Sequence, residues 1–305
     1  ILFIAVETLE TSMKGPMQAT LSPTKSDRLP ILFALFALYV IWGSTYFAIR
    51  FVVVDIPPFM AGAVRFLIAG SVLFVFLKLR GAAFPTRAEW IDSAKIGTLL
   101  MGGGMGCVMM AQSLGVASSL TAIFAAATPV LVSLFSGFWG QWPRRLEWLG
   151  LLVGFAGVVL LSLEGSLRSH LAGTLVLAIA PIAWSFGTAW SRHLKLPKGL
   201  MASATEMFAG GVALLVLSLL FGERLTQVPS WSSISALVYL ITFGSLIAYS
   251  SFVYLIGRVR PAAYVNPGIA VLLGMGLGNE QLSIFALVAL PVILLGVALV
   301  AVARK

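Results

Sequence analysis

The sequence predicts an all-α integral membrane protein of ten transmembrane helices, arranged as two inverted five-helix repeats. Mean hydropathy is +1.01, only 10% of the residues are charged, and the apolar residues lie in long uncharged runs. A soluble domain of average composition carries about 25% charged residues, so water-soluble folds are excluded. Runs such as 31–49 are long enough to cross ~30 Å of hydrocarbon as helices. The strands of a membrane barrel would be shorter and would alternate in polarity.

Charged residues, glycines and prolines divide the apolar runs into ten predicted spans. In chain order the spans are 31–54, 57–77, 93–114, 117–140, 146–163, 171–191, 199–222, 232–256, 261–278 and 283–303. Residues 1–28 precede them as a predicted N-terminal cytoplasmic tail. Met13 and Met17 are both candidate natural starts, and either start would make part of this tail non-native.

The basic residues that separate the spans are unevenly distributed between the two sides of the membrane. With the N-terminus inside, 16 of the 20 Lys and Arg residues fall on the cytoplasmic side. The opposite side holds Arg50, Arg168 and Arg224, and Arg65 lies within a span. Because such a bias sets the orientation of membrane proteins, we expect both termini in the cytoplasm. The net charge of +9 is explained by this orientation, and no nucleic-acid partner is expected.

An internal repeat relates the two halves of the chain. Trp42 and Arg50 in the first span match Trp184 and Arg192 in the sixth span at an offset of 142. Other spans contain matched pairs at offsets of 138 to 141: Ala61 and Ala202, Ala63 and Ala204, Gly70 and Gly211, Gly81 and Gly222, Pro129 and Pro267, Gly157 and Gly296. An ordered series of this kind indicates duplication into halves 29–165 and 166–305. Because each half holds five spans, an odd number, the second half enters the membrane from the opposite side.

These features resemble the drug/metabolite transporter superfamily, specifically its ten-helix EamA-type exporters of aromatic amino acids and general metabolites. The resemblance covers nearly every residue from Leu29 to the end of the chain. The motifs that carry it are Trp42-Gly43-Ser44 with Arg50, Ala122 to Pro129, Pro261 to Pro267, Leu277-Gly278-Asn279-Glu280, and Leu295-Gly296-Val297. Family sequences usually show a Gly-Glu pair after the fourth and the ninth span. Here the first copy reads Gly140-Gln141, and Asn279 precedes Glu280 in the second.

The resemblance implies a secondary transporter, not driven by ATP, that exports small organic metabolites across a bacterial inner membrane by alternating access. It also implies a pathway lined by spans one, three, four, six, eight and nine. The Trp, Tyr and Met content favours amino acids, including aromatic or bulky apolar ones. Drugs or other amphipathic solutes, and a facilitative channel-like pore, remain as alternatives. The expected partners are the substrate, the lipid bilayer and, in a coupled cycle, protons, and both a monomer and a homodimer are compatible with the sequence.

Enzymatic function is not expected from the titratable residues. The only histidines, His170 and His193, lie in predicted loops, and the spans contain no HExxH motif or paired aspartates. The single cysteine, Cys107, can form neither an intramolecular disulfide nor a thiolate metal cluster. We therefore expect no catalytic residue, cofactor or metal.

Two charged residues fall inside predicted spans, where an ionisable side chain usually contacts a partner or a wet cavity. Arg65 and Glu206 occupy spans two and seven and match each other at an offset of 141. We interpret them as a charge pair, or as separate gates that contact a zwitterionic substrate. The alternative is that both lie near the membrane interface. Glu206 is also the leading candidate for proton coupling.

Polar and aromatic residues recur on one face of spans one and six, at spacings of three and four residues. Trp42, Thr45 and Tyr46 share the first face, and Trp184 and Thr188 share the second. A cavity wall is the preferred interpretation. Hydrogen bonding between helices through Ser and Thr is the alternative.

Two prolines are predicted to break helices at membrane depth. Proline frees the carbonyl one turn earlier, so Pro129 and Pro267 would leave the carbonyls of Ala125 and Ala263 without backbone donors. A substrate pathway or a purely structural kink would explain them. The full set of predicted pathway residues is Trp42, Thr45, Tyr46, Gln112, Thr121, Thr128, Trp184, Thr188, Tyr249, Tyr254, Tyr264 and Asn266.

Overall fold

The structure is a computed structural model that describes residues 25–163, 170–255 and 266–303. Regular secondary structure in these ranges is entirely helical. The first helix starts at Lys25, and its membrane-spanning part is taken as α1. The helices are α1 (Leu29–Asp55), α2 (Pro58–Leu79), α3 (Arg87–Ser113), α4 (Ser118–Trp139), α5 (Arg145–Ser162), α6 (Leu171–Ser191), α7 (Leu200–Leu220), α8 (Trp231–Leu255), α9 (Asn266–Gly276) and α10 (Ile284–Ala303).

Seven of these helices, α1 to α4 and α6 to α8, are long and apolar enough to cross a membrane. The helix α10 contains a shorter apolar stretch, Ile284–Val300. The prediction of a helical membrane protein is therefore supported, whereas the count of ten membrane spans stays a prediction.

Several predicted span bounds differ from the helices observed. The helix α3 begins at Arg87 rather than near residue 93, because Thr86 and Glu89 form a capping box. The Thr86 amide donates to the Glu89 carboxylate at 2.6 Å, and the Glu89 amide donates to the Thr86 hydroxyl at 3.3 Å. The prediction from hydropathy missed this first turn because the turn is polar. The predicted ninth span, 261–278, is only partly described, since residues 256–265 lie outside the described ranges.

The outer surface of the bundle is apolar, unlike that of a soluble protein, while its core is mainly apolar and also contains polar side chains. Many large apolar side chains are exposed on the outer helix faces, including Ile68 and Val72 on α2 and Leu152 and Phe155 on α5. Polar side chains are buried between the helices: Thr45, Arg65, Ser93, Gln112, Ser185, Thr205, Glu206 and Ser245 are examples. An apolar exterior suits hydrocarbon, whereas water would make such patches interaction or aggregation surfaces.

The main helix interfaces join the first five helices to the last five. The helix α2 packs along α7, and α5 packs along α10. The helix α1 contacts α8 and α9, and α6 contacts α3 and α4. The core of the bundle therefore lies between the two halves of the chain.

Several central helices depart from regular α-helical geometry. Ala37–Ile41 in α1, Thr98–Gly106 in α3 and Leu240–Tyr249 in α8 are π-helical. The helix α4 is interrupted by a turn at 126–127, and Pro181 lies inside α6. Distortions of this kind are frequently found at functional sites, so we expect the functional site among the central helices.

We predict that Gly296→Ala forces α5 and α10 apart. A β-carbon at Gly296 would lie 2.4 Å from the Gly154 amide nitrogen and 2.6 Å from the Gly150 carbonyl oxygen, and backbone atoms cannot move aside independently. Overpacking of this kind costs about 1–3 kcal/mol, so the midpoint of thermal unfolding in detergent should fall. The control is Gly276→Ala, since a β-carbon there meets no atom within 4 Å. Equal shifts in the two variants would contradict this packing.

Candidate functional site

A cavity of about 100 Å³ lies between the two halves, bounded by α1, α3 and α4 on one side and by α6 and α8 on the other. Its described lining is mainly apolar and aromatic and contains no charged side chain. The lining residues are Trp42, Tyr46, Gly104, Met105, Val108, Thr121, Ala125, Thr128, Pro129, Leu177, Ala180, Pro181, Trp184 and Phe252. Six residues singled out from the sequence therefore meet at one cavity: Trp42, Tyr46, Thr121, Thr128, Pro129 and Trp184.

An aromatic cluster forms one wall of this cavity. The ring centroids of Trp42 and Trp184, which occupy matched positions in the repeat, are 5.4 Å apart with an edge-to-face orientation. Phe252 lies 5.1 Å from Trp42 and 5.8 Å from Trp184, and Tyr249 lies 6.4 Å from Trp184. Such edge-to-face contacts are favourable beyond the burial of area alone. Gly104 makes room for the cluster, since a β-carbon there would lie 2.7 Å from Trp184.

The break in α4 places unpaired backbone at the same cavity. The first segment ends at Ala125 and the second begins at Thr128, with Pro129 in its first turn. Among the described residues, no donor hydrogen-bonds to the Ala125 carbonyl. The Thr128 carbonyl accepts a hydrogen bond of 3.0 Å from the Ser185 hydroxyl. The proline therefore interrupts the helix, rather than only kinking it, beside a space that a solute or water can occupy.

Other predicted pathway residues serve the helices rather than the cavity surface. The threonines Thr45 and Thr188 donate to the carbonyls of Trp42 and Trp184 one turn earlier, at 2.6 Å and 2.8 Å. Gln112 donates to the Tyr46 carbonyl at 3.1 Å and so ties α3 to α1. For these three side chains, hydrogen bonding within the bundle replaces the predicted cavity wall.

Four further predicted residues are away from this cavity or outside the described residues. Tyr254 is half-buried in α8 and does not line the cavity. Tyr264 lies outside the described residues, and so do the side chains of Asn266 and Pro267, whose backbone begins α9. Of the two predicted proline breaks, the structure therefore describes only the one at Pro129.

Arg65 and Glu206 are both buried, but they do not form the predicted charge pair. Arg65 is 1% exposed, and its Nε donates to the Ser245 hydroxyl at 2.8 Å. Glu206 is 3% exposed and accepts a hydrogen bond from the Tyr249 hydroxyl. Their alternative placement near the membrane interface stays a prediction, because burial between helices does not fix their depth in the membrane. Each residue contacts α8 instead of the other.

Sequence reasoning missed part of the cavity wall. Phe252 follows Tyr249 by three residues and so shares its helix face, a spacing that could have identified it. Pro181, in the middle of a predicted span, was a further signal. Met105, Val108 and Leu177 had no distinguishing signal, since apolar residues fill every span.

At one end of the bundle, carboxylates from one half cap helices of the other half. Asp55, at the end of α1, accepts hydrogen bonds from the Ser230 amide at 2.9 Å and the Ser233 hydroxyl at 2.6 Å, where α8 begins. Glu223, just after α7, accepts from the amides of Phe59 and Met60 in the first turn of α2. A carboxylate at a helix N-terminus satisfies free amides and suits the helix dipole.

Glu280, after α9, completes this arrangement. It accepts hydrogen bonds from the Ser118 and Ser119 amides, at 3.1 Å and 2.9 Å, and from the Ser118 hydroxyl at 2.7 Å, where α4 begins. Arg50 of α1 lies 3.5 Å from Glu280 and donates to the Gly278 carbonyl at 2.8 Å. We call the end defined by Asp55, Glu223 and Glu280 the clasped end.

An apolar helical bundle that buries several polar side chains and holds an aromatic cavity between its halves is compatible with a membrane transporter. The EamA-like transporter family model matches this chain twice, over residues 29–163 and 171–302. The chain therefore belongs to the EamA-like transporter family, and the resemblance seen in its motifs is confirmed.

Individual relatives agree with this assignment. The inner membrane transporter YedA of Escherichia coli K12, named as uncharacterized, is 44% identical over 281 residues, which make up 90% of this chain and 92% of YedA. The transporter YoaV of Bacillus subtilis, also named as uncharacterized, is 25% identical over 72% of this chain and 75% of its own. One crystal structure superposes with a TM-score of 0.64, covering 91% of this chain and 99% of the other at 23% identity, and so shows a shared fold.

We predict that Glu280→Gln loosens the clasped end by about 1–2 kcal/mol, the scale of a lost helix cap. Burial raises the pKa of Glu280, but hydrogen bonds from Ser119 and Ser118 outweigh it and hold the pKa below its ordinary value of 4.5. A lowered pKa means that the carboxylate stabilises the fold above about pH 4.5 and that this contribution is lost as the pH falls through the folded-state pKa.

Thermal unfolding of the wild type and of Glu280→Gln as a function of pH checks this prediction. The difference between their midpoints should be full near neutral pH and should shrink below about pH 4.5. Glu89→Gln is the comparison for a cap within one helix: hydrogen bonds from Thr86 also lower the pKa of Glu89, so its midpoint should show the same kind of pH dependence although Glu89 joins no two halves. A difference that does not change with pH would contradict the assigned role of the Glu280 charge.

Proposed function

We propose that this chain is a secondary transporter that exports small organic metabolites across the bacterial inner membrane by alternating access. The two five-helix halves, 29–165 and 166–305, form an inverted repeat of ten spans, and both termini lie in the cytoplasm. The substrate site is the cavity around Trp42 and Trp184. The observation that carries the proposal is the meeting of these two repeat-related tryptophans at a cavity between the halves.

The paired arrangement of the halves is supported by three independent correspondences. The family model matches the chain twice. The π-helical segments of α3 and α8 begin at Thr98 and Leu240, an offset of 142. Gly81 and Gly222, matched at an offset of 141, both have positive φ, 83° and 65°, just after α2 and α7. Inverted repeats support alternating access because each half can adopt the conformation of the other around a fixed site.

The clasped end supports a state closed on one side. In the proposed orientation, the ends of α1 and α7 and the starts of α2, α4 and α8 face away from the cytoplasm. The bonds of Asp55, Glu223 and Glu280 would then close the outer side, because each joins the two halves. Outward opening during export requires that these bonds separate.

The lining of the cavity favours amino acids, including aromatic or bulky apolar ones. Tryptophan and phenylalanine rings receive apolar side chains, and the hydroxyls of Thr128 and Tyr46 offer hydrogen bonds. Phosphorylated solutes are disfavoured, because the described lining carries no Lys or Arg. Drugs and other amphipathic solutes would bind against the same aromatic wall of the cavity. A facilitative pore would differ from a transporter in showing neither saturation nor counterflow.

We predict saturable counterflow of an aromatic or bulky apolar amino acid in proteoliposomes tested against a panel of amino acids and cationic drugs. Trp42→Ala and Trp184→Ala should each lower transport at subsaturating substrate by about tenfold, the effect of losing ~1.4 kcal/mol of binding. Trp231→Ala is the matched control, because Trp231 is 81% exposed at the start of α8. Flux that rises linearly with concentration and shows no counterflow would instead identify a pore. Loss of activity in Trp231→Ala equal to that in the other two would contradict the site.

We further propose that Glu206 binds the proton in a proton-coupled cycle. It is a carboxyl group buried in α7, and its described hydrogen-bond partner, Tyr249, contacts the cavity-lining Trp184. A change in the protonation of Glu206 can therefore affect Trp184 in the cavity wall through one intervening side chain, that of Tyr249.

Glu206→Gln should transport substrate without a response to an imposed pH gradient, because the amide cannot exchange a proton. Tyr249→Phe is the companion variant: it removes the hydroxyl but keeps the carboxyl group, so the response should persist. The measurement is initial flux in proteoliposomes with and without a pH gradient. If the flux of Glu206→Gln responds to the pH gradient as the wild type does, the proton-coupling proposal is wrong, whereas the transport proposal is unaffected.

A further inference from the structure

The guanidinium of Arg65 is held in place but incompletely bonded. Arg65 lies in the middle of α2 and is 1% exposed. Its Nε donates to the Ser245 hydroxyl of α8 at 2.8 Å, and its Cζ lies 4.7 Å from the centre of the Phe66 ring. Its Nη1 is buried and has no hydrogen-bond partner among the described residues. One donor edge of the group is therefore unused.

No described carboxylate supplies the missing partner. Each described acidic side chain has other partners, and none lies within 4 Å of the Arg65 guanidinium. These side chains are Asp55, Glu89, Asp92, Glu147, Glu206, Glu223 and Glu280. Glu206, its repeat-related counterpart, bonds to Tyr249 instead.

An unpaired guanidinium in this position is costly. Arginine stays protonated in proteins, so it cannot escape burial by losing its charge. A buried ion without a counter-ion loses its hydration and gains little in return. Inside membrane spans such residues pair with an opposite charge or line a solute pathway. The positive charge of Arg65 therefore points to an anion that binds here.

The surrounding backbone makes room for the group. A β-carbon at Gly244 would lie 2.9 Å from Nη2 of Arg65 and 3.0 Å from Cγ2 of Thr45, so glycine is the residue that leaves space for the guanidinium. Thr45, which borders the same glycine, precedes Tyr46 in α1, and Tyr46 lines the central cavity. The guanidinium therefore lies close to the part of α1 that forms the cavity wall.

We propose that Arg65 is a binding site for a monovalent anion, and that this anion is the carboxylate of the transported solute. The anion reaches Nη1 from the central cavity when Tyr46 moves. The apolar part of the same molecule then lies against Trp42 and Trp184. The choice of the solute as the source of the carboxylate rests on the proposed function, whereas the anion site itself does not.

The test measures thermal unfolding of the purified protein in detergent, at constant ionic strength in sodium sulfate. Three probes are added separately: sodium 3-phenylpropionate, 2-phenylethylamine as its sulfate salt, and sodium chloride. Phenylpropionate should raise the midpoint of the wild type in a saturable manner, and phenylethylamine, which lacks a carboxylate, should not. In Arg65→Met the response to phenylpropionate should be lost, with at least a tenfold weaker apparent affinity.

The variant also has an expected stability of its own. Because Arg65→Met removes an uncompensated charge, its midpoint without added anion should equal or exceed that of the wild type. Arg80→Met is the matched control. Arg80 follows α2 and is exposed, so the response to phenylpropionate should be unchanged. Arg65→Lys keeps the charge and should retain a weakened response. If Arg65→Met does not fold, Gly244→Ala displaces the guanidinium and should weaken the response.

The outcomes separate the two parts of the proposal. A response to chloride and none to phenylpropionate would keep the anion site but overturn the solute carboxylate as its ligand. A wild type that responds to no anion, or an Arg65→Met variant that responds like the wild type, would overturn the site. If the carboxylate response is present and counterflow of every solute fails, the proposed transport function is wrong and the anion site stands.

Discussion

The absence of hydrogen-bond donors and acceptors in hydrocarbon is the constraint on which the rest of this structure depends. Every polar group at membrane depth must find its partner inside the bundle. Thr45 and Thr188 meet this demand by bonding to their own helices, and Gln112 meets it in part, since its Nε2 bonds to α1 while its Oε1 has no partner among the described residues. The few polar groups without a described partner therefore need an explanation. The Ala125 carbonyl and Nη1 of Arg65 are two of them, and both are near the central cavity.

The two ends of the bundle are not equivalent, although the halves are related. Asp55, Glu223 and Glu280 clasp one end by capping helices across the halves. The positions that match them in the repeat are Pro197, Ala82 and Gln141, none of which is acidic. A backbone repeat allows both ends to open in the same way. At the opposite end Asp92 of α3 also bonds across the halves, accepting from the Lys195 amide at 2.9 Å, so the two ends differ in which side chains join the halves. In the proposed cycle, the energy difference between inward-facing and outward-facing states therefore arises from side chains added to a repeated backbone.

Much of the fold and part of the site could be predicted from the sequence, and the reasons differ. The helices followed from hydropathy because lipid imposes length and composition directly. Trp42 and Trp184 were found because duplication placed the same residue at matched positions, and their contact followed from the packing of the halves. The partners of Arg65 and Glu206 could not be predicted, since each depends on the rotation of α8 relative to α2 and α7. The caps on α2 and α4 were missed for the same reason: Glu223 and Glu280 act on residues about 160 positions away.

The opposite charges of Arg65 and Glu206 are informative because the two residues occupy matched positions of the repeat. In an identical repeat, the same side chain would occur at both places and the two would bear like charges within one bundle. Here one half holds a permanent cation and the other a group that can be neutral or negative, and each contacts α8. Arg65 lies beside Thr45, the chain neighbour of the cavity-lining Tyr46, and Glu206 reaches the cavity through Tyr249 and Trp184. In the proposed cycle, a solute with one carboxylate would complete the charge balance on the Arg65 side, while the charge of Glu206 would vary independently. Divergence after duplication would in this way have separated solute binding from the group that responds to protons.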